Sequence, residues 1–339
     1  MSTTETLPDA GVAAPSPPSA SARTYLSVLD LTPDGLETCL ALAARLKRER
    51  RMGADAPTSR ALAGHSLALL FDKPSLRTRT GFEIAMQELG GIVTCPPSAD
   101  ALGTREALAD VARTLERWIS VAAIRTFQQS RLREIARATT RLRVVNALTN
   151  EEHPCQALAD CLTLRERFGD VRGVTLAYVG DGNNVATSLT HAAAMLGARL
   201  RLASPAGYAL PAATVAAARR VAQHGAEIAQ CDDPVEAVRG ADAVYTDVWT
   251  SMGQEAEATG RREAFEPYRV TGDLMAQAGR DALFMHCLPA HRGEEVDPDV
   301  IDGPRSAVFD QAENRLHTQK ALLMLMLGAA PWPNQASAP

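Results

Sequence analysis

No run in this 339-residue chain reaches the roughly 18 consecutive apolar residues a bilayer-spanning helix needs, so no membrane-spanning helix and no membrane partner is expected. The net charge is only −5, so the overall balance does not favour nucleic acid or an anionic lipid surface. Any anion site has to be local. A CxxC pair is missing: Cys39, Cys95, Cys155, Cys161, Cys231 and Cys287 lie scattered, which reads as reduced thiols in a cytoplasm. No period recurs as in a repeat protein. The first 23 residues lack the apolar core of a secretory signal. They carry Glu5 and Asp9 against Arg23 alone, a poor fit to a transit peptide. Their richness in Pro, Ser, Ala and Thr reads as a disordered tail.

What is present is a globular composition, 46% apolar and 22% charged, in a length that suits two domains of about 150 residues each. Short apolar runs alternate with helical patterns from residue 32 onward. Thr32 before Pro33 marks a helix start whose apolar face is Leu36, Cys39, Leu40, Ala43 and Leu46. Strands are expected at "SLALLF", "GIVTC", "VAAIR" and "RVVNA", with helices between them at "RTGFEIAMQELGG", "REALADVARTLERWI" and residues 130–138. A helix over 154–168 leads to a second series: "VTLAYVG", a helix over 184–197, "RLRLAS", a helix over 211–223, "AEIAQC", "DAVYTD" and "ALFMH". The helix "ENRLHTQKALLMLML" closes the chain. This alternation predicts an α/β fold, two parallel-sheet α/β domains joined by bridging helices. Ligands of such sheets sit beyond the carboxyl ends of the strands, which makes the loops after strands informative.

The first such loop is "FDKPSLRTRTGFE", residues 71–83. Ser75, Leu76, Arg77 and Thr78 open a helix, whose positive end makes a cation unfavourable unless an anion compensates it. One arginine there reads equally well as a solvated helix end. Serine, arginine and threonine together after an apolar strand point to a phosphate site. Arg125 ends the strand "VAAIR" and matters only if it converges with the others. His153-Pro154 begins a helix that carries Cys155 and Gln156 in its first turn. The histidine reads as a cap or a ligand, and its spacing to Cys155 and Cys161 suits no common zinc motif, so no metal is expected. "YVGDGNNV" lacks the third glycine of a dinucleotide fingerprint and offers Asn183 and Asn184 instead. Asp247 follows another strand and suits an ammonium group, with Ser251, Met252 and Gly253 as a closing turn. Cys287 and Leu288 directly follow the strand "ALFMH", where a buried structural cysteine and a functional thiol are both open. Arg315 is read as the start of the last helix and one more anion ligand.

In this order, "SLRTR", "HPCQALAD", "GDGNNVATSL", "DVWTSMGQE", "HCLPAHRGEEV" and "FDQAENRLHTQKA" make residues 24–329 resemble the aspartate/ornithine carbamoyltransferase family, and within it the branch that uses ornithine. The resemblance implies a carbamoyl-phosphate-binding domain over 24–153, completed by the helix 312–330, and an ornithine-binding domain over 154–311. It implies a cytoplasmic homotrimer, or a multiple of trimers, with each site near a subunit boundary. It also implies transfer of the carbamoyl group of carbamoyl phosphate to the δ-amino group of L-ornithine, giving L-citrulline and phosphate, without a cofactor. Arginine biosynthesis is the expected setting. By the same resemblance Ser75, Leu76, Arg77 and Thr78 cradle phosphate, with Arg125, His153, Pro154, Cys155, Gln156, Cys287, Leu288 and Arg315 completing the carbamoyl-phosphate site. Asn184, Asp247, Ser251 and Met252 hold ornithine, and Arg77, Arg125, His153 and Cys287 carry the catalysis. The chain departs at Leu76, where many relatives have Thr or Met. It departs again at Ala101, where many have a glutamine that reaches an adjacent subunit's site. Competing readings are a carbamoyltransferase for another amine, the catabolic ornithine enzyme, a nucleotide-dependent dehydrogenase and a silent homologue.

Overall fold

The computed structural model describes residues 24–97, 102, 105–250 and 255–332. The tail over 1–23, Ala101, and the turn Ser251-Met252-Gly253 lie outside them. The first series runs β1 (Thr24–Tyr25), α1 (Pro33–Glu49), β2 (Ser66–Phe71), α2 (Leu76–Glu88), β3 (Ile92–Thr94), α3 (Leu108–Leu115), β4 (Val121–Arg125), α4 (Gln129–Ala138) and β5 (Arg143–Leu148). Helix α5 (Pro154–Phe168) leads to β6 (Thr175–Val179), α6 (Asn184–Leu196), β7 (Arg199–Ala203), α7 (Ala212–Val221) and β8 (Glu227–Cys231). Then come α8 (Pro234–Val238), β9 (Ala243–Thr246), α9 (Ala258–Phe265), α10 (Gly272–Gln277), β10 (Leu283–His286), α11 (Pro298–Ile301) and α12 (Val308–Met326).

The strands form two five-stranded sheets, in the orders β1-β5-β4-β2-β3 and β10-β9-β6-β7-β8, parallel throughout. Every residue of β4 and β6 is buried, as expected of strands covered on both faces. The fold class read from the alternation therefore holds. In the first sheet the chain runs outward from β2 to β3 and then crosses to β4; in the second it runs from β6 to β8 and crosses to β9. Each sheet thus has a topological switch point, between β2 and β4 and between β6 and β9, and crevices open at the carboxyl ends there.

Two helices join the sheets. Pro154–Leu164 of α5 is buried continuously, and α12 packs on α1, α2 and α5 with most of its length buried. A helix hydrophobic nearly all round belongs in an interior. The polar residues these helices bury must therefore be satisfied by one another. Helix α1 begins as expected, with Thr32 Oγ1 accepting from Gly35 N at 3.0 Å, and its five named face residues are fully buried.

Three expectations need correction. The helix in "REALADVARTLERWI" is confined to Leu108–Leu115. Arg315 lies two turns into α12, which starts at Val308. The strand β1 and the short helices α8–α11 were not foreseen, because segments of two to eight residues show no resolvable period.

Candidate active site

The two switch-point crevices open into one cleft of about 660 Å³. Ser75, Leu76, Arg77, Thr78, Arg125, His153 and Arg315 line it on one side, and Asn184, Asp247, Cys287 and Leu288 on the other. Residues spread over 240 positions of sequence thus meet in one cavity.

The phosphate-side residues owe their places to strand ends and helix starts. Ser75 caps α2, its Oγ accepting from Thr78 N at 3.3 Å. Arg77 then sits in the first turn, at the positive end of the helix. Arg125 is the last residue of β4 and is 7% exposed, not the solvent-facing strand end a lone arginine suggests. Arg315 reaches across from α12, donating through Nη2 to Thr78 Oγ1 at 2.7 Å and through Nη1 to Gln156 Oε1. Among the described residues no carboxylate lies within ion-pair distance of Arg77, Arg125 or Arg315. The Nε atoms of Arg125 and Arg315 are buried without a hydrogen-bond partner among them.

Such crowding shows in the acid–base chemistry. Burial, then the charges of Arg315 and Arg77, bring the Arg125 guanidinium down to about 10. Burial, then Arg315, Arg125 and Arg77, hold the His153 imidazole well below its ordinary value, so it is neutral near pH 7. Its backbone N–H donates to Ser188 Oγ at 2.9 Å, and its Nδ1 has no partner among the described residues. This side is a cluster of cations suited to an anion. Each charge-assisted hydrogen bond such an anion accepts contributes about 1.5–3 kcal/mol.

On the facing side, Asp247 follows β9 and is 6% exposed. It accepts from Asn183 Nδ2 at 2.8 Å and from Cys287 Sγ at 2.9 Å. Burial, then the neighbouring charge of Asp247, push the Cys287 thiol well above its ordinary value. Cys287 is therefore a protonated thiol that donates to Asp247. Leu288 adopts φ 59, a left-handed conformation rare for a branched side chain, and its N–H donates to His286 Nδ1 at 2.8 Å.

Several expected contacts fall elsewhere. Pro154, Cys155 and Gln156 do not line the cavity, because α5 turns them into the interior: Cys155 Sγ donates to Asn146 O, and Gln156 supports Arg315 from behind. Leu76 reaches the cavity edge but is 75% exposed. Arg79 points away and pairs with Glu83 at 2.9 Å, since residues two apart on a helix differ by about 200° in direction. Asn184 lines the cavity while its amide donates to Thr149 O at 2.5 Å.

Other cavity residues were not among the expected substrate contacts. Asn183 caps α6, its Oδ1 accepting from Val185 N and Ala186 N, while its amide nitrogen holds Asp247. An asparagine directly before a helix was the available signal. Because that side chain occupies the first N–H groups of α6, they do not offer an open pyrophosphate cradle. Gly182 serves close packing instead: a Cβ there would lie 2.5 Å from Leu210 N. Arg261, 3% exposed on α9, pairs with Asp181, donates to Trp249 O at 2.6 Å and covers the Tyr208 ring at 4.7 Å. Lys73 donates to Asn150 Oδ1 at 2.9 Å. Two triads, Asp247-His286-Cys287 and His291-Glu294-Glu295, have ligand atoms within 4.8 Å of one another. Hydrogen bonds within the protein already engage Asp247, Cys287 and His286.

Twin sheets whose switch points share an arginine-lined cleft define a group-transfer enzyme for an anionic donor. Family models agree: the carbamoyl-P binding domain of aspartate/ornithine carbamoyltransferases matches residues 23–166, and their Asp/Orn binding domain matches residues 172–326. Ornithine carbamoyltransferase from Acidothermus cellulolyticus is 52% identical over 311 residues, 91% of this chain and 97% of that protein. The solved ornithine carbamoyltransferase of Pyrococcus furiosus superposes with a TM-score of 0.87 at 45% identity, covering 91% of this chain and 98% of that one. The anabolic ornithine carbamoyltransferase of Campylobacter jejuni gives a TM-score of 0.83 at 32% identity, over 90% and 98%. The chain belongs to the aspartate/ornithine carbamoyltransferase family, and it is a carbamoyltransferase.

Arg77→Ala is expected to abolish binding of inorganic phosphate in a calorimetric titration, with a melting temperature equal to or above that of the wild type. Retained phosphate affinity would contradict the role given to this side of the cleft.

Proposed function

We propose that this enzyme transfers the carbamoyl group of carbamoyl phosphate to the δ-amino group of L-ornithine, yielding L-citrulline and phosphate. The observation that carries the reading is the single cleft. It joins the buried Arg125 and Arg315 and the half-buried Arg77 to a carboxylate–thiol pair, and the ornithine carbamoyltransferases named above share the fold over nine-tenths of this chain. On this reading the start of α2, with Ser75, Leu76, Arg77 and Thr78, receives the phosphate, and Arg315 closes over it. Arg125 and the neutral His153 donate to the carbonyl oxygen, where negative charge builds as the amine attacks. A neutral imidazole is the better partner here. It donates a hydrogen bond without adding a further charge to the cluster.

Asp247 and the protonated Cys287 orient the ornithine amine, with Asn184, Ser251 and Met252 as the remaining contacts. The nitrogen forms its bond to the carbonyl carbon, the carbon–oxygen bond to phosphate breaks, and the departing phosphate takes up the proton the amine releases. Holding both reactants in one cleft replaces a bimolecular encounter with an oriented one, so positioning and electrostatics carry the rate. The chemistry calls for no metal or redox group.

The setting we propose is arginine biosynthesis in a cytoplasm. The Campylobacter relative is described as anabolic, and the six cysteines are all free thiols. Among the described residues no helix is long and apolar enough to cross a membrane. We further propose a homotrimer: Leu76, 75% exposed at the cleft, and Ile92, 67% exposed on the edge strand β3, are apolar side chains that a second copy would cover.

A citrulline assay over a panel of ornithine, aspartate, putrescine and N-acetylornithine is expected to give product from ornithine alone; turnover of another amine at a higher kcat/KM would replace this reading. Asp247→Ala is expected to raise the ornithine KM or abolish turnover while carbamoyl phosphate still binds by calorimetry. Loss of carbamoyl-phosphate binding in that variant would show that Asp247 does not serve the amine.

A further inference from the structure

Behind the cavity, Gln156, Asp160 and Gln311 form a polar group in the interior, none more than 1% exposed. One oxygen of Asp160, Oδ1, accepts from Gln156 Nε2 at 2.7 Å and from Gln311 Nε2 at 2.6 Å. An oxygen that receives two amide N–H groups acts as an acceptor, so it decides which end of each amide faces it. The other ends then face outward. Gln156 Oε1 accepts from the Arg315 guanidinium, and Gln311 Oε1 accepts from His286 N at 3.0 Å. The Tyr245 hydroxyl lies on Asp160 Oδ2 at 3.3 Å and accepts from Gln311 Nε2 at 3.1 Å, two residues before Asp247. Flipping either amide would set a donor against a donor in a buried site, which costs the full desolvation of both groups.

Asp160 itself lies off the cavity lining. Its position on α5 nevertheless links an arginine of the phosphate side with the peptide that begins the Cys287–Leu288 turn. We propose that Asp160 is a positioning residue for both halves of the reaction, its Oδ1 orienting the Gln156 amide that aims Arg315 and the Gln311 amide that sets the turn after β10. The proposal rests on the carbamoyl-transfer reading of this cleft. It adds that the two substrate sites share one internal alignment point.

Asp160→Asn keeps an acceptor oxygen in the same place. Burial already pushes the Asp160 carboxyl up to about 7, so a neutral replacement is a small change. This variant is expected to stay within about threefold of wild type in kcat and in both KM values. Asp160→Leu has similar bulk and no acceptor. It is expected to lose about tenfold or more in kcat and to raise both the carbamoyl-phosphate Kd and the ornithine KM, because small misplacements of reacting groups are costly. A folded Asp160→Leu enzyme with wild-type constants overturns the proposal, as does an Asp160→Asn enzyme as impaired as Asp160→Leu.

If Asp160→Leu does not fold, Gln156→Leu and Gln311→Leu carry the test. The first is expected to weaken carbamoyl-phosphate binding and spare the ornithine KM, and the second to do the reverse. An identical pattern from both overturns the proposal. Wild-type protein that makes no citrulline would refute the reading of the cleft. An active wild type with an indifferent Asp160→Leu refutes this inference alone.

Discussion

Burying Arg125 and Arg315 beside the half-buried Arg77 is the constraint around which this molecule is arranged. Arg77, Arg125 and Arg315 face one cavity; the charge of Arg77 adds to burial in lowering the proton affinity of Arg125 and Arg315, and none of the three has a carboxylate within ion-pair distance among the described residues. Left to itself such a cluster destabilises the fold, since buried charge is costly unless paired. The surrounding structure holds it. Arg125 is fixed by strand pairing at the end of β4, Arg77 by the capped first turn of α2, and Arg315 by Thr78 and Gln156. Strain of this kind persists at sites where a ligand offsets it, and stability is given up for function.

The second element of the design is how two sheets are kept in register. Helices α5 and α12 are buried on nearly all sides, and their polar residues pair with one another across the boundary. Asp160 is one node of that pairing. Glu152, just before α5, adds a separate link: its carboxylate receives Ser27 Oγ at 2.5 Å and Ser188 Oγ at 2.8 Å, and Ser188 in turn accepts from the backbone of His153. The imidazole beside the cations is thus located by contacts with both halves of the chain. Phosphate-side and amine-side groups meet because interior hydrogen bonds align the elements that carry them.

How much of this was legible follows from where each residue stands. Arg77, Arg125, His153, Asp247 and Cys287 directly follow short apolar runs or open helices, and a parallel sheet delivers such positions to one crevice. Arg261 was invisible because it sits on a short helix well after its strand, with no pattern joining it to Asp181. Asp160 and Gln311 were invisible for another reason. A polar residue within a helix reads as its solvated face until the whole helix is known to be buried. Arg79 stands two residues from Arg77 in the same motif, and only the helical turn sends their side chains apart. The protonated state of Cys287 depends on burial beside Asp247, which no local sequence encodes.

The most direct measurement compares Arg125→Gln with the wild type by chemical denaturation in the absence and presence of inorganic phosphate. Removing one of three mutually repelling cations is predicted to leave the free protein at least as stable as the wild type, and to eliminate the added stability that phosphate confers. A variant markedly less stable without ligand, yet still stabilised by phosphate as strongly as the wild type, would contradict the account.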